Sequence, residues 1–238
     1  MNTTIAYITF RGMLGRRRAL LLFFLPAVLL LFSVALRALG DDSLDSASAV
    51  LWTFGLAVLL PLVALIAGTG VIGPEIDDGQ IMYILTKPIS RASVIITKYL
   101  CAIVLILAFT VLPVWLGGAI MLGPGSDLPA AFAVGVLAGG VAYGAVFVAL
   151  AVVSRQAVTI GLIYALVWEG LIGTFAPGTQ VLSVQHWSLA IIDRLTSSTT
   201  VNAAVSLPVS AVLLILVTVG ALTLATARLR TLTLASSD

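Results

Sequence analysis

Few residues of this sequence have the types and spacing that catalysis needs. A Gly-x-x-x-x-Gly-Lys-[Ser/Thr] phosphate loop is absent, because the glycines at positions 68, 70 and 73 have no following lysine. The sequence also contains no Gly-x-Ser-x-Gly nucleophile elbow and no His-Glu-x-x-His helix. One cysteine, Cys101, and one histidine, His186, exclude an internal disulfide and a histidine-rich metal cage. We therefore predict that the chain is not an enzyme by itself, has no catalytic residues and binds no metal or cofactor.

Three acidic residues are the remaining candidates for chemistry. On a helix, Asp77 and Asp78 would point about 100° apart, which favours a solvated helix start over a shared metal. Glu169 lies in a long apolar run, about two-thirds of the way outward from Arg155 at about 1.5 Å per residue. A charge at that depth usually faces protein or water. Two interpretations of Glu169 stay open: a residue of a substrate pathway, or a packing group that is hydrogen-bonded near the outer interface.

The elements that must position these residues are membrane-spanning helices. Hydrophobic residues make up 61% of the 238 residues and charged residues only 9%, whereas about 25% are charged in an ordinary globular domain. The mean hydropathy is +1.19. A soluble fold of this size could not cover its surface with so few charges. The composition therefore predicts an all-α integral membrane protein, with the bilayer as solvent for most side chains.

Six apolar runs are long enough to cross a bilayer, since a span needs about 20 residues. The predicted spans are residues 19–36, 50–72, 99–122, 130–153, 157–176 and 204–227, within a single domain that covers residues 1–238. We expect the first span to be retained and not cleaved as a signal peptide. Its apolar run is too long for a signal peptide, and no convincing cleavage site precedes Gly40.

Prolines and glycines inside the spans have two expected effects. Pro26, Pro61 and Pro113 are expected to kink their helices, which membranes tolerate. The pairs Gly135-x-x-x-Gly139 and Gly140-x-x-x-Gly144 offer close helix contacts in the fourth span, although this pattern arises easily in an alanine-rich helix.

The distribution of basic residues predicts that both termini are cytoplasmic. With the N-terminus inside, only Arg37 and Arg194 of the twelve Lys and Arg residues lie outside. The inner residues are Arg11, Arg16, Arg17, Arg18, Lys87, Arg91, Lys98, Arg155, Arg228 and Arg230. Residues 3–18 combine apolar and basic residues in a pattern that fits a helix lying in the inner interface. The arginines of this segment also suffice to fix the topology, and both interpretations can hold together.

The connection between the second and third spans, residues 73–98, predicts a short cytoplasmic helix with one apolar face. Pro74 can open this helix, and acidic residues favour its first turn. Pro88 stops it, and Ser90 or Ser93 can cap the third span. The apolar face consists of Ile81, Ile84 and Leu85. A simple solvated loop would not need such a face, so we expect the helix to dock on another protein.

The long external segment, residues 177–202, is amphipathic. Val181, Val184, Ser188, Ile192 and Leu195 approximate a helical stripe. The segment either dips back into the outer leaflet or forms a plain amphipathic helix on the surface.

The second-to-third connection resembles the first cytoplasmic loop of type-2 ABC transporter permeases. The shared pattern is Glu75-x-x-x-Gly79, then Ile84-Leu85-Thr-Lys-Pro88-Ile-Ser90-Arg91, then Lys98. In that family an acidic residue, a glycine, a leucine pair and a Pro-[Ile/Val]-Ser-Arg element precede a lysine that opens the next span. Ile84 stands where the pair usually has leucine, which is a chemically mild departure. Six spans, cytoplasmic termini and a basic interfacial helix extend the resemblance to the organisation of the whole chain.

This resemblance implies the membrane-spanning permease subunit of an ATP-driven exporter. The coupling helix around Glu75 to Arg91 would sit in a cleft of a separate ATPase subunit, which would bind ATP and magnesium. An interfacial elbow helix and the turn Ser154–Gln156 would contact the same subunit. The implied contact residues are Arg11, Arg16, Arg17, Arg18, Glu75, Asp77, Asp78, Gly79, Ile84, Leu85, Pro88, Ser90, Arg91 and Arg155.

The resemblance also implies an assembly and a location. Six spans form half a pathway, so a second copy or a homologous permease would pair with this chain. The expected location is the cytoplasmic membrane of a prokaryote. Two other classes stay open: a secondary transporter driven by an ion gradient, and an intramembrane enzyme that modifies lipids. The first usually has several buried ionisable groups or broken helices, and the second needs polar residues clustered at one depth.

Overall fold

The structure is a computed structural model that describes residues 9, 18–77, 90–123, 125–172, 178–196, 201 and 203–234. Within these residues the regular structure is entirely helical. The predicted interfacial helix, residues 3–18, lies outside the described residues apart from Thr9 and Arg18. The centre of the predicted coupling helix, residues 78–89, also lies outside them.

The described chain forms eight helices, α1 to α8, and a short 3-10 helix, Thr179–Leu182, before α7. Helix α1 is Arg18–Ala38. Helix α2 consists of Leu44–Val50, the π-helical stretch Leu51–Leu59 and Leu60–Gly70, and the short helix α3, Gly73–Asp77, follows it. Helix α4 consists of Arg91–Ile106, a π-helical stretch Leu107–Val111 and Leu112–Leu122, and α5 is Leu128–Val153. Helix α6 consists of Ala157–Ile163 and the π-helical Tyr164–Ile172, α7 is Val184–Leu195, and α8 is Leu207–Leu234.

Five helices of the described chain are long and apolar enough to cross a membrane. They are Leu20–Ala38, Leu44–Ile76, Arg91–Leu122, Leu128–Val153 and Leu207–Arg230, and they correspond to the first four and the last of the predicted spans. The predicted fifth span, residues 157–176, contains the shorter apolar helix Ala157–Gly170. Its last residues, 173–176, lie outside the described chain.

Two of these helices begin earlier than predicted, because serine side chains cap them. The second helix begins at Leu44 instead of residue 50, and the third begins at Arg91 instead of residue 99. Ser43 Oγ accepts a hydrogen bond from the Ser46 N–H at 3.2 Å, and Ser90 Oγ accepts one from the Ser93 N–H at 3.2 Å. A capped first turn continues into the apolar run, so the helix extends beyond the hydrophobic segment that composition detects.

Helix α5 lies at the centre of the bundle and packs against α2, α4, α7 and α8. Its glycines permit this close packing. A Cβ atom on Gly135 would lie 2.9 Å from the Ser188 carbonyl oxygen of α7, and one on Gly140 would lie 2.7 Å from a methyl carbon of Ile106 in α4. The glycine pattern in the fourth predicted span therefore marks contact faces for neighbouring helices.

Prolines explain where two of the π-helical stretches end. Pro61 and Pro113 each follow such a stretch at the second position of the next α-helical piece. The residue just before each proline makes a π-type backbone hydrogen bond, to the carbonyl five residues earlier instead of four. The Leu60 N–H donates to the Gly55 carbonyl, and the Leu112 N–H donates to the Leu107 carbonyl. Because proline has no N–H, the carbonyl four residues before it loses its normal helical donor.

Helix α7 supplies a donor to one of these carbonyls. The Ala57 carbonyl is the acceptor that Pro61 cannot satisfy, and Gln185 Nε2 of α7 donates to it at 3.4 Å. Ala57 lies midway along α2, so the first turn of α7 reaches the middle of a membrane-length helix. The α7 face against the bundle is buried at Val184, Trp187 and Ile192. These contacts favour an α7 that dips into the bundle over one that lies on its surface.

At the end of the bundle that holds the α1–α2 turn, Arg37 joins two helices. Arg37 Nη1 donates to the Met121 carbonyl of α4 at 3.0 Å and lies 3.6 Å from Asp42 Oδ2. Hydrogen bonds from Ser46 and Ser43 lower the pKa of Asp41 in the same turn. The ion pair is largely exposed, so the Arg37–Met121 bond is the more specific link between α1 and α4.

The α5–α7 contact predicts different effects for two glycine substitutions. Gly135→Ala should destabilise the protein by about 1–3 kcal/mol, because the added methyl group overlaps the α7 backbone. Gly220→Ala on α8 is the matched control, since a Cβ there has nothing within 4 Å. Thermal unfolding in detergent, followed by loss of the monodisperse fraction, measures both. Equal midpoints for the two variants would contradict the tight α5–α7 contact.

Candidate functional site

The strongest polar site of the described chain is a buried lysine at the end where α2, α3 and α4 meet. Lys98 Nζ donates to Glu75 Oε1 at 2.6 Å, to the Val71 carbonyl at 2.7 Å and to Thr9 Oγ1 at 3.4 Å. The Lys98 side chain is fully buried, and that of Glu75 is 17% exposed. All three acceptors therefore replace water around a single ammonium group. We call these four residues the lysine node.

Local sequence explains how the lysine node is built. Helix α2 ends at a turn through Val71, and α3 starts with Pro74 and Glu75 in its first turn, where proline and an acidic side chain are both favoured. Ser90 caps α4, so Lys98 lies about two turns inside that helix, with its side chain directed to the end of α2.

The pairing in the lysine node is strong because it is shielded from water. Lys98 has no exposed surface, and the second oxygen of Glu75, Oε2, is buried without a hydrogen-bond partner in the described chain. The carboxylate thus depends on Lys98 for its neutralisation. Removing one partner of such a pair leaves an uncompensated buried charge, which costs about 3–5 kcal/mol.

The lysine node holds together the two ends of the predicted coupling segment. Glu75 precedes residues 78–89 and Lys98 follows them, so their ion pair joins α3 to α4 across that segment. Thr9 brings the N-terminal region to the same point. The ion pair therefore holds α3 against α4.

Five of the other residues predicted to contact the ATPase subunit lie at the ends of helices or in a turn. Ser90 caps α4, Arg91 is the first residue of that helix, and Arg155 is exposed in the turn between α5 and α6. Asp77 ends α3, and Arg18 begins α1. Arg11, Arg16, Arg17, Asp78, Gly79, Ile84, Leu85 and Pro88 lie outside the described residues.

Glu169, the predicted pathway candidate, joins α6 to the start of α7. It is 2% exposed. Its Oε1 accepts hydrogen bonds from the Tyr164 hydroxyl at 2.9 Å and from the Val184 N–H at 3.1 Å, and its Oε2 accepts one from the Ser183 hydroxyl. Ser183 in turn caps α7. These contacts are those of the packing interpretation, and the pathway interpretation stays a prediction.

Sequence reasoning missed the partners of both buried charges. The sequence predicts Lys98 as an inner basic residue and, through the resemblance, as the lysine that opens the third span, but it predicts no ion-pair partner for it. Val94, Ile95 and Tyr99 around it are buried, and a lysine among such residues is a signal for a buried pair. Tyr164 and Ser183 gave no comparable signal, because their contact with Glu169 depends on how α7 packs.

A comparison with protein families decides the identity at the family level. The sequence model of a family described as ABC-2 family transporter protein matches residues 14–176. That range is more than half of the chain and includes α1 through α6 and three residues of the lysine node, Val71, Glu75 and Lys98. The chain belongs to the ABC-2 transporter family. No curated protein sequence matches it significantly.

Membership of the ABC-2 transporter family explains the general character of the fold. The chain is a multi-pass membrane protein and a permease, and family members are typically membrane subunits without enzymatic activity of their own. They generally work with an ABC ATPase subunit. The resemblance that rests on residues 73–98 thus leads to the same family as the match over the larger part of the chain.

The contacts of Glu169 predict a contrast between two substitutions. Glu169→Leu should destabilise the protein by about 2 kcal/mol or more, because three donors, two of them buried, lose their acceptor. Glu169→Gln keeps an acceptor oxygen and should stay close to the wild type. Thermal unfolding in detergent is the measurement. A Glu169→Leu variant as stable as the wild type would contradict the packing role, and a stable Glu169→Gln variant that has lost transport would support the pathway interpretation.

Proposed function

We propose that this chain is the transmembrane subunit of an ATP-driven exporter and that it transmits the motion of a separate ATPase subunit through the lysine node. Family membership supports the transporter role. The absence of a phosphate loop from the sequence supports a separate ATPase, which would bind ATP and magnesium. The observation that carries the proposal is the buried Lys98–Glu75 pair, because it joins the two ends of the predicted docking segment.

The proposed topology has six spans with both termini in the cytoplasm of a prokaryote. Five membrane-length helices support it. Helix α6 would be the remaining span. In this orientation the lysine node, Arg155 and the end of α8 lie on the cytoplasmic side, and α7 enters the outer leaflet from outside.

Coupling needs a stiff connection between the ATPase and the spans. The proposed coupling helix lies between α3 and α4. The Lys98–Glu75 ion pair, with Nζ and Oε1 2.6 Å apart, links the two helices on either side of it. A rigid-body movement of the ATPase would then shift α2 and α4 together, as in other switching proteins that move packed helices.

Two further contacts with the ATPase belong to the proposal. The N-terminal elbow, with Arg11, Arg16, Arg17 and Arg18, would reach the lysine node through Thr9, whose hydroxyl oxygen accepts from Lys98. The exposed Arg155 in the α5–α6 turn would form the second, smaller contact. A second copy of this chain or a homologous permease would complete the substrate pathway.

Breaking the lysine node should separate ATP hydrolysis from movement of the spans. In proteoliposomes that contain the permease and its ATPase subunit, Glu75→Ala, which removes the ion pair, should retain ATP hydrolysis. Arg91→Ala, which leaves the ion pair intact but removes a proposed contact with the ATPase, should retain it as well. A spin label at the outer end of α1 should no longer report a nucleotide-dependent distance change. Loss of the ion pair should uncouple because residues 78–89 then move without carrying α4.

Two controls make this test specific to the lysine node. The charge-swapped double variant Glu75→Lys with Lys98→Glu should recover part of the label movement, since it rebuilds an ion pair. Asp42→Asn removes an exposed carboxylate at the opposite end of the bundle and should have no effect. Normal label movement in both Glu75→Ala and Arg91→Ala would contradict the proposed coupling role.

A further inference from the structure

A groove between α4 and α8 lies near the end of the bundle that carries the lysine node. Its volume is about 430 Å³, within the range of small-ligand sites. Its principal lining residues are Ala92 and Ile96 of α4 and Val219, Leu222, Thr226 and Arg230 of α8. The groove is separate from the Glu169 contacts.

The groove changes from apolar to basic along its length. Val219, Leu222 and Ile96 form the part towards the middle of the bundle, and Arg230 lies at the opposite, cytoplasmic end in the proposed orientation. Val219 and Arg230 are eleven residues apart on one helix, or about 16 Å along its axis. That length is about half of a 30 Å hydrocarbon core. The groove therefore extends over one leaflet, with its charge at headgroup depth.

The N-terminal end of α4 adds partial positive charge at the same end of the groove. Ala92 belongs to the first turn of α4, where backbone N–H groups give a helix its partial positive charge. The Thr226 hydroxyl donates to the Leu222 carbonyl at 2.8 Å, so its proton is already used within α8. Positive charge at this end thus comes from Arg230 together with the start of α4.

The groove is also reachable from the side of the bundle. Val219 is 55% exposed, and Arg230 is exposed as well. In a membrane, a lipid can therefore enter the groove laterally, with its acyl chain beside Val219 and Leu222 and its headgroup beside Arg230.

We propose that the α4–α8 groove binds one anionic phospholipid of the cytoplasmic leaflet. The apolar part takes an acyl chain, and the basic end takes the phosphate, whose negative charge no cationic headgroup offsets. Basic pockets between membrane helices on the cytoplasmic side are known to select such headgroups. The proposal rests on the proposed orientation of the chain but not on its ATPase partner, so a failed ATPase association would leave it standing.

Native mass spectrometry of the full-length chain in detergent tests this site. The probes are phosphatidylglycerol and phosphatidylcholine with identical acyl chains. The wild type should retain phosphatidylglycerol in preference to phosphatidylcholine. Arg230→Gln should weaken phosphatidylglycerol binding about fivefold, the effect expected for one basic residue at an anionic headgroup. Phosphatidylcholine binding should not change.

Arg228 provides a matched control on the same helix. It is exposed like Arg230 but does not line the groove, so Arg228→Gln should leave phosphatidylglycerol binding unchanged. Arg230→Lys should retain binding, which separates loss of charge from misfolding. Ala227→Phe should weaken binding by filling the groove without a change of charge.

Three results would overturn the proposal. Equal losses in Arg230→Gln and Arg228→Gln would indicate a general electrostatic attraction and no site. Equal retention of both lipids by the wild type would exclude headgroup selection. A dimer that Ala227→Phe dissociates, without a change in lipid retention, would show that a second copy of the chain covers the groove.

Discussion

Hydrocarbon offers no water to polar atoms, so a buried polar group of this chain is stabilised by a partner within the protein. This constraint explains contacts that otherwise look unrelated. The carbonyl of Ala57, which Pro61 leaves without its helical donor, receives the Gln185 side chain. Glu169 receives three donors from α6 and the start of α7. Helix α7 makes both contacts, so its position in the bundle follows from the polar atoms that it satisfies.

The same constraint explains the contacts of Lys98 at the opposite end of the bundle. Lys98 is buried, and its charge is acceptable only because Glu75 and the Val71 carbonyl lie within 2.7 Å of its ammonium group. Lys98 lies on α4 and Glu75 on α3, so their ion pair fixes these two helices relative to each other. The Lys98–Glu75 ion pair thus neutralises a buried charge and also connects the two ends of the proposed docking segment. The proposed coupling to an ATPase subunit requires such a connection.

Much of the architecture could be predicted from the sequence, because apolar length and basic residues act locally. The runs that became α1, α4, α5 and α8 were visible in composition, and Ser90 was visible as a possible cap. The early start of α2 was missed because the apolar run begins after its Ser43 cap. The burial of Lys98 and the partners of Glu169 depend on which distant residues meet. Pro61 indicates that the Ala57 carbonyl lacks its helical N–H donor. No local pattern indicates that the Gln185 side chain donates to it instead.

Affinity purification of the tagged chain from its native membrane in mild detergent, followed by a vanadate-sensitive ATPase assay, tests the proposed two-subunit transporter most directly. The account predicts that an ABC ATPase subunit co-purifies in equimolar amount and that the eluate hydrolyses ATP. If the preparation contains no ATPase, even after crosslinking in the membrane before extraction, the proposed coupling through the lysine node is contradicted.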